Sequence, residues 1–214
     1  MVITSFKDEF ELKTGVLLLA CSVLSLFSFP HYQERERLMA ISESELRSAA
    51  NRARKSFASN SLNEAFAKNQ QTAFLCHSHK DHTLAKGLQN LLNEQGWEVY
   101  IDWLDEELPS SPNKETAEKI KLKIAQTDWF LFLATHNSTS SRWCPWEIGY
   151  ADSVQKHEKI IVIPTVDDNG RWHGNEYLQL YRKLTDASNS FTNKKGYAVF
   201  EPNMRKGGEW VDDL

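Results

Sequence analysis

The feature that most constrains the fold is a repeated alternation of short apolar runs with amphipathic segments. The clearest run, residues 128–134, is apolar after its first residue, as expected for a parallel strand buried on both faces. Predicted strands cover residues 72–76, 97–101, 128–134, 159–164 and 197–200, the last at a sheet edge. Predicted helices cover residues 81–94, 115–126, 145–157 and 176–184. This alternation predicts an α/β, flavodoxin-like three-layer sandwich with a central parallel sheet of about five strands.

An N-terminal helical extension is expected to precede this sandwich. The predicted divisions are an apolar extension at residues 1–38, a helical region and linker at 39–70, and the α/β domain at 71–214. Residues 15–29 form a continuous apolar run, shorter than the roughly 20 residues of a transmembrane helix. A buried or partner-bound helix is therefore favoured there. A membrane anchor and a natural start at Met39 remain alternatives.

The region after this run is predicted to be helical over residues 42–68. Ser42 and Glu45 form a capping-box pattern at its start. The same helix carries a basic side, which we interpret as a solvated face packed on the main domain rather than as a nucleic-acid or lipid patch.

Composition bounds the class of protein. The chain has 214 residues, of which 41% are hydrophobic and 25% charged, values typical of a soluble globular protein. A net charge of −4 argues against a nucleic-acid binder. The three cysteines, Cys21, Cys76 and Cys144, lie too far apart to suggest a disulfide framework or a zinc motif, so a reducing, cytoplasmic location is expected.

A stretch at residues 141–148, Ser-Arg-Trp-Cys-Pro-Trp-Glu-Ile, follows the predicted strand at 128–134 and opens a predicted helix. Pro145 suits the first position of a helix, and Ser141 is a candidate N-terminal cap. Glu147 then falls in the first turn, where the positive end of the helix dipole favours an ionised carboxylate at neutral pH.

Two tryptophans, Trp143 and Trp146, flank Glu147, and each indole can stack on a planar ring. A lone anionic carboxylate in such an aromatic pocket can stabilise a sugar cation. The alternative is structural, with the glutamate as partner of the helix dipole and both tryptophans in the core. Cys144 fits core packing, because the sequence places no histidine base beside it.

Three loops should meet at the carboxyl edge of the sheet, where ligands bind in folds of this kind. They are the loop at residues 76–82, the loop from Asp102 onward, and residues 143–147. The first is polar and leads into a helix N-terminus with Lys80 nearby, which suits a phosphate or pyrophosphate. An ordinary strand-to-helix turn is the alternative.

Two other kinds of site are disfavoured. A metal site built from His77, His79 and His82 would need further ligands, but no second His/Cys cluster lies near them in sequence, and Asp81 has the position of a helix cap. The chain contains neither a Gly-x-Gly-x-x-Gly fingerprint nor a P-loop, which argues against hydride transfer and nucleoside triphosphate hydrolysis.

Three motifs resemble those of a bacterial TIR (Toll/interleukin-1 receptor) domain. They are residues 74–81, Phe-Leu-Cys-His-Ser-His-Lys-Asp; residues 100–103, Tyr-Ile-Asp-Trp; and Ser-x-Trp-Cys-x-x-Glu-Ile at residues 141–148. The last resembles the pattern around the catalytic glutamate of NAD-cleaving members. The Arg-Asp-x-x-Pro-Gly second box and the Phe-Trp third box of animal receptors are absent, which favours a bacterial enzyme.

The resemblance implies an NAD+ glycohydrolase that releases nicotinamide and an ADP-ribose-type product, as in Thoeris-like antiphage defence or NAD depletion. Glu147 would be catalytic, NAD+ would be the substrate, and neither a cofactor nor a metal is implied. The implied substrate-binding residues are His77, Ser78, Lys80, Asp102, Trp103, Trp143 and Cys144. Implied partners are further copies of the chain, through TIR self-association, and a downstream effector that senses the product.

Two alternatives of other classes remain open. One is a non-catalytic TIR module that only assembles with other TIR domains. The other is a different flavodoxin-like glycosyl-transfer enzyme with a catalytic glutamate, such as a nucleoside deoxyribosyltransferase.

Overall fold

The computed structural model describes residues 40–52, 62–97, 100–102 and 113–214, without the side chains of residues 62 and 100–102. The apolar run at residues 15–29 and the candidate start at Met39 lie outside the described residues. Within the described ranges, no helix is both long and apolar enough to cross a membrane.

The secondary structure follows the predicted alternation. The helices are α1 (Glu43–Ala50), α2 (Leu62–Ala67), α3 (His82–Glu94), α4 (Lys114–Gln126), α5 (His136–Thr139) and α6 (Cys144–Val154). The strands are β1 (Ile41–Ser42), β2 (Thr72–Cys76), β3 (Tyr100–Asp102), β4 (Trp129–Ala134), β5 (Ile160–Val166), β6 (Trp172–His173), β7 (Arg182–Ser188), β8 (Lys195–Phe200) and β9 (Glu209–Trp210). Short 3-10 helices cover His79–Asp81, His157–Lys159, Glu176–Leu180 and Val211–Asp213.

The strands form one sheet in the order β3-β2-β4-β5-β7-β8-β9. Strands β3, β2, β4, β5 and β7 run parallel, whereas β8 and β9 are antiparallel additions beyond β7. The two-residue strands β1 and β6 both pair with the end of β5. The predicted α/β class with a mostly parallel central sheet is confirmed.

Both faces of the sheet are covered. Residues of β4 alternate between two apolar clusters: Trp129, Leu131 and Leu133 enter one, and Phe130, Phe132 and Ala134 enter the other. Helices α1 and α3 contribute residues to the first cluster on one face of the sheet, and α4 and α6 contribute residues to the second cluster on the other face. This arrangement explains why β4 is apolar at every position.

Two predictions at the C-terminal side are wrong. The segment predicted as one helix over residues 176–184 is a 3-10 helix followed by β7, because β7 pairs with β5 on one side and β8 on the other. The buried Arg182 of β7 forms ion pairs with Glu201 and Glu209. The predicted edge strand β8 is not an edge, since β9 pairs outside it.

The N-terminal helix starts where predicted but without the predicted capping box. Ser42 occupies the N-cap position, yet its hydroxyl hydrogen-bonds to the Ser44 hydroxyl at 2.6 Å. The Glu45 carboxylate accepts a hydrogen bond from the Tyr197 hydroxyl of β8 instead of returning to the helix start. The Glu45 side chain, which the sequence pattern predicted to cap the helix, therefore forms a tertiary contact with β8 instead.

The predicted basic side of this helix is occupied by ion pairs on the domain surface. Arg47 pairs with Glu43 and Asp168, and Arg52 pairs with Glu94 of α3. These contacts match the interpretation of a helix face that packs on the main domain.

Helix α1 lies in close contact with α3 at Gly87. A methyl group at Gly87 would meet the Leu46 carbonyl oxygen at 1.9 Å. Beside it, the buried Asn90 amide donates to the carbonyl oxygens of Ala49 and Arg52 at 3.0 and 3.1 Å. The lack of a side chain at Gly87 allows α1 to approach α3 closely, and the hydrogen bonds of Asn90 connect the two helices.

We expect Gly87→Ala to lower the free energy of unfolding by about 1–3 kcal/mol, because the added methyl group overpacks the contact with α1. Gly149→Ala is the matched control, since Gly149 is also inside a helix but a methyl group there meets nothing within 4 Å. That variant should be neutral or gain up to about 1 kcal/mol of helix propensity. Denaturant unfolding measures both, and equal effects of the two substitutions would contradict the close contact.

Candidate active site

The candidate site lies at the carboxyl ends of β2 and β4, beside the start of α6. Cys76 is the last residue of β2 and lies opposite Phe132 of β4. Helix α6 packs against both strands. The predicted meeting of the loop after β2 with the stretch at 141–148 is therefore observed.

Hydroxyl groups build the turn between β4 and α6. Thr135 and Ser138 form a reciprocal capping box at the start of α5, and the Ser138 hydroxyl also donates to the Leu133 carbonyl oxygen at 2.6 Å. The Ser141 hydroxyl accepts from the amides of Trp143 and Cys144 at 3.1 and 3.4 Å. Ser141 thus binds two amides at the helix start, as a cap would, although the N-cap position itself is occupied by Trp143, whose side chain forms no capping bond.

Helix α6 begins one residue earlier than predicted. Cys144 is its first residue and Pro145 its second, so the proline still occupies a position where no intrahelical N–H is needed. The Glu147 amide donates to the Trp143 carbonyl oxygen at 2.9 Å, which places Glu147 in the first turn as predicted.

The Glu147 side chain points into the domain rather than into open solvent. Only 5% of Glu147 is exposed, and Cys76 and Cys144 are each 1% exposed. The carboxylate oxygen and the two sulfur atoms all lie within 4.8 Å of one another. The Cys76 sulfur atom also lies 3.9 Å from the Cys144 carbonyl oxygen, so the thiol faces the start of α6.

Burial controls the protonation of this cluster. Desolvation raises the pKa of Glu147 from 4.5 to about 7, and a hydrogen bond from Cys76 opposes that rise. Burial also raises the pKa of the Cys76 thiol well above its ordinary value, so the thiol keeps its proton and can donate it in a hydrogen bond. Burial thus acts against the ionised Glu147 that the helix dipole favours, and the protonated carboxyl is populated near neutral pH.

The two tryptophans contact each other and a third ring along α6. The ring centroids of Trp143 and Trp146 are 5.5 Å apart at an interplanar angle of 75°, and Trp146 stacks on Tyr150 at 6.1 Å. The Lys121 ammonium of α4 lies 6.0 and 5.8 Å from the rings of Trp146 and Tyr150. These half-buried rings pack against the apolar cluster on this side of the sheet, as the structural alternative expects, and their role as an aromatic wall for a ligand stays a prediction.

The loop after β2 contains the other predicted binding residues. Ser78 is buried and its hydroxyl accepts from the Lys80 amide at 3.4 Å, which caps the 3-10 helix His79–Asp81. His77 is half-buried, with its Nδ1 atom 3.0 Å from the Leu75 carbonyl oxygen. Lys80 is exposed at the start of the turn into α3.

Asp81 occupies the N-cap position of α3, as predicted, but its side chain forms no capping hydrogen bond. Its buried carboxylate accepts from the Thr135 hydroxyl at 2.5 Å and from the Asn137 amide at 2.7 Å. It therefore joins the loop after β2 to the turn after β4, and these two pieces of the site keep a fixed separation.

Two predicted site residues belong to the second loop. Asp102 ends β3, with its backbone in register with Phe74 of β2. Its side chain, Trp103 and the rest of the loop to residue 112 lie outside the described residues.

Cys76 was not among the predicted site residues. Cys76 lies at the carboxyl end of a predicted buried strand and within the motif at residues 74–81, and this position was the sequence signal that could have identified it. Of the described residues, Cys76, Cys144 and Glu147 form the one group of three potential metal-binding side chains with ligand atoms close together. The histidines at positions 77, 79 and 82 are not part of that group.

A mostly parallel sheet with helices on both faces, a buried glutamate in the first turn of α6 and a polar loop after β2 define a flavodoxin-like α/β domain with a site at the carboxyl edge of its sheet. Residues 73–195 match the TIR domain family, which is more than half of the chain, and the chain belongs to that family.

Two curated relatives share part of the chain. The "Probable 3' cyclic ADP-D-ribose synthase ThsB'" of Bacillus cereus (strain MSX-D12) is 36% identical over 114 residues, which cover 50% of this chain and 57% of that protein. The "Putative cyclic ADP-D-ribose synthase TIR2" of Cytobacillus dafuensis is 30% identical over 89 residues, which cover 39% of this chain and 23% of that protein. The chain thus spans about half the length of the first relative and about a quarter of the second.

Glu147 should make the stability of the protein depend on pH. Below about pH 4.5 the carboxyl is protonated in both the folded and the unfolded chain, so it contributes no pH dependence. Between there and about pH 7 the folded state holds a proton that the unfolded state has lost. The free energy of unfolding therefore falls as pH rises, by a total on the order of 3 kcal/mol above pH 7.

Replacing the ionisable group should remove this cost. We expect Glu147→Gln to be more stable than the unmodified protein at pH 8, by up to about 3 kcal/mol, with the gain vanishing near pH 4.5. Thermal and denaturant unfolding across this range measure the difference. Glu176→Gln, at an exposed glutamate in the 3-10 helix after β6, should show no such trend. A Glu147→Gln variant that loses stability at pH 8 would contradict the raised pKa.

Proposed function

We propose that this chain cleaves the bond between nicotinamide and ribose in NAD+, with Glu147 as the catalytic residue, and that the ADP-ribosyl part closes into a cyclic ADP-D-ribose. The observation that carries the proposal is a single carboxyl buried in the first turn of α6 at the carboxyl edge of the sheet. The names of the two relatives support cyclisation rather than simple hydrolysis.

The first step breaks the glycosidic bond. The electrons of the bond between ribose C1′ and the pyridinium nitrogen move to the nitrogen, and nicotinamide leaves as a neutral molecule without a general acid. Positive charge develops on the ribose as an oxocarbenium ion, as in glycoside hydrolysis. The ionised Glu147 carboxylate stabilises that charge, and its low-dielectric surroundings strengthen the attraction.

The second step transfers the ribosyl group to an acceptor. A hydroxyl oxygen of the same ADP-ribosyl molecule attacks C1′, and the hydroxyl proton is lost as the ring closes. Attack by water would give ADP-ribose instead. A carboxylate with a pKa of about 7 suits the acceptance of that proton, because a general base works best near the ambient pH.

The flanking elements supply binding surfaces in this proposal. The turn from β2 into α3, with His77, Ser78 and Lys80, suits the pyrophosphate, because it combines a cation with a helix N-terminus. Trp143 forms an aromatic wall, and Cys144 packs against the catalytic carboxyl. We assign Asp102 and Trp103 to the remaining side of the cleft.

Self-association and signalling extend the proposal. We infer that copies of the chain assemble through their TIR domains, so that activity rises with protein concentration. We further propose that the product is the signal to a downstream effector in antiphage defence, as the resemblance to Thoeris-like TIR proteins implies.

Nicotinamide release from NAD+ by the purified protein at high concentration tests the catalytic role. We expect Glu147→Gln to lower the rate by at least about 100-fold, since it removes the charge that stabilises the transition state. Glu176→Gln should retain full activity. Equal release from the protein and the Glu147→Gln variant would assign Glu147 to structure alone. No release from any of them, even with a crowding agent, would favour a non-catalytic assembly module.

The product separates cyclisation from hydrolysis. Mass spectrometry should detect a product lighter than ADP-ribose by one water molecule. In water labelled with heavy oxygen, the cyclic product should carry no label, whereas ADP-ribose would carry one labelled atom. Labelled ADP-ribose as the sole product would overturn the cyclase part and leave the cleavage part standing.

The pH dependence should follow the Glu147 carboxyl. We expect kcat/KM to rise with pH and level off above about pH 7, because the ionised form is the active one in the free enzyme. The midpoint of kcat should lie at lower pH, since the positive nicotinamide ring favours the ionised carboxylate in the complex. Steady-state kinetics from pH 5 to 9 measures both. A rate that falls as pH rises through 7 would contradict this role.

A further inference from the structure

We propose that Cys76, Cys144 and Glu147 form a binding site for a soft divalent metal ion, with Zn²⁺ as the best fit. The ion would act as a regulatory ligand rather than as a cofactor. Its consequence for activity rests on the proposed function, but metal binding does not.

The three side chains come from two elements that are fixed by packing. Cys76 ends β2, and Cys144 and Glu147 stand three residues apart in the first turn of α6, which puts them on neighbouring positions of one helix face. Their ligand atoms already lie within 4.8 Å of one another. All three residues are at least nine-tenths buried, so a bound ion would be held in a dehydrated pocket.

The donor set selects the class of metal. Two sulfur ligands and one carboxylate oxygen match Zn²⁺ and similar soft ions, whereas Mg²⁺ and Ca²⁺ prefer sites built from oxygen alone. With Zn–S near 2.3 Å and Zn–O near 2.1 Å, the donor atoms need to close by roughly 1 Å around the ion. We infer that side-chain rotation supplies a shift of that size, with the three protein ligands closing around the ion.

Metal binding releases the thiol protons and leaves a net charge of −1 at the site. Binding converts both thiols to thiolates, so two protons leave to solvent, together with the third from any Glu147 carboxyl that carries one. Two thiolates and one carboxylate bring three negative charges against two positive charges of the ion. The positive end of the α6 dipole stabilises the remaining negative charge.

Occupation of this site would block the proposed chemistry. Coordination engages the Glu147 carboxylate, which the proposed mechanism requires for the oxocarbenium ion. The ion also places positive charge where the cationic nicotinamide ring would bind. We therefore infer that Zn²⁺ is an inhibitor of this chain.

Co²⁺ tests the site directly, because thiolate coordination of Co²⁺ produces an intense charge-transfer absorption in the near ultraviolet. We expect one Co²⁺ per chain with this band, and displacement of the band by Zn²⁺. Cys76→Ser and Cys144→Ser should abolish the band. Cys21→Ser is the matched control, since it removes the remaining cysteine of the chain and should leave the band intact. Adventitious binding to surface histidines gives no thiolate band and would overturn the proposal.

Loss of the band in a cysteine variant could arise from misfolding, so Glu147→Gln provides an independent check. The buried ionisable carboxyl lowers the stability of the folded protein, so we expect the Gln variant to fold. We expect it to bind Co²⁺ at least about 10-fold more weakly, because it lacks the carboxylate ligand. Unchanged Co²⁺ affinity in this variant would exclude the carboxylate from the site.

Nicotinamide release supplies the second readout. Micromolar Zn²⁺ should inhibit the protein and EDTA should restore it, while millimolar Mg²⁺ should have no effect. Cys144→Ser should need at least about 10-fold more Zn²⁺ for half-inhibition of its own basal rate. Release that Zn²⁺ does not inhibit, despite the Co²⁺ band, would overturn the regulatory role. If the protein releases no nicotinamide at all, the proposed function fails while the Co²⁺ band still decides the metal site.

Discussion

The burial of β4 on both faces is the constraint on which the rest of the structure depends. Alternate side chains of this strand feed two apolar clusters, so helices must cover each face of the sheet. The strand ends at Ala134, and the chain becomes polar at the next residue, Thr135. That abrupt change fixes where the backbone leaves the core. The capped turn that follows then delivers α6 to the carboxyl edge with its first turn facing β2.

Glu147 interrupts an otherwise apolar helix face, and this has a cost. The buried residues of α6 are Cys144, Ile148 and Ala151 together with this one carboxyl. An apolar side chain of similar size would avoid the desolvation that raises the pKa of Glu147 to about 7. An ionisable side chain in a buried position, where an apolar side chain would be more stable, is typical of functional sites.

Local patterns were sufficient for the central strands and for the position of Glu147. The run at β4 and the leucines of α3 show strong periodicity, and Ser141 and Pro145 mark the start of α6 through local capping chemistry. The sequence failed where partners distant in the chain decide the outcome. Strand β7 exists because β5 and β8 lie on either side of it, with Arg182 and Lys183 buried by that pairing. Its mixed composition resembles a polar helix when it is considered alone.

The site shows the same division between local and distant effects. The helix dipole at Glu147 is a local effect, and it predicted an ionised carboxylate. The Cys76 thiol is distant in sequence, and the burial it shares with Glu147 arises only when β2 and α6 pack together. The helix dipole favours the ionised carboxylate, whereas burial favours the protonated one and raises the pKa of Glu147.

A cation bound beside Glu147 would reverse that balance. A positive charge at close range favours the ionised carboxylate and offsets the desolvation that burial imposes. NAD+ brings such a charge on its nicotinamide ring, whereas a neutral nucleoside brings none. The carboxyl is therefore better matched to NAD+ than to the free nucleosides of a deoxyribosyltransferase. A divalent metal ion would also favour the ionised carboxylate, and it would compete with the nicotinamide ring for the position beside Glu147. The proposed reaction and the proposed inhibition therefore depend on the same buried carboxylate.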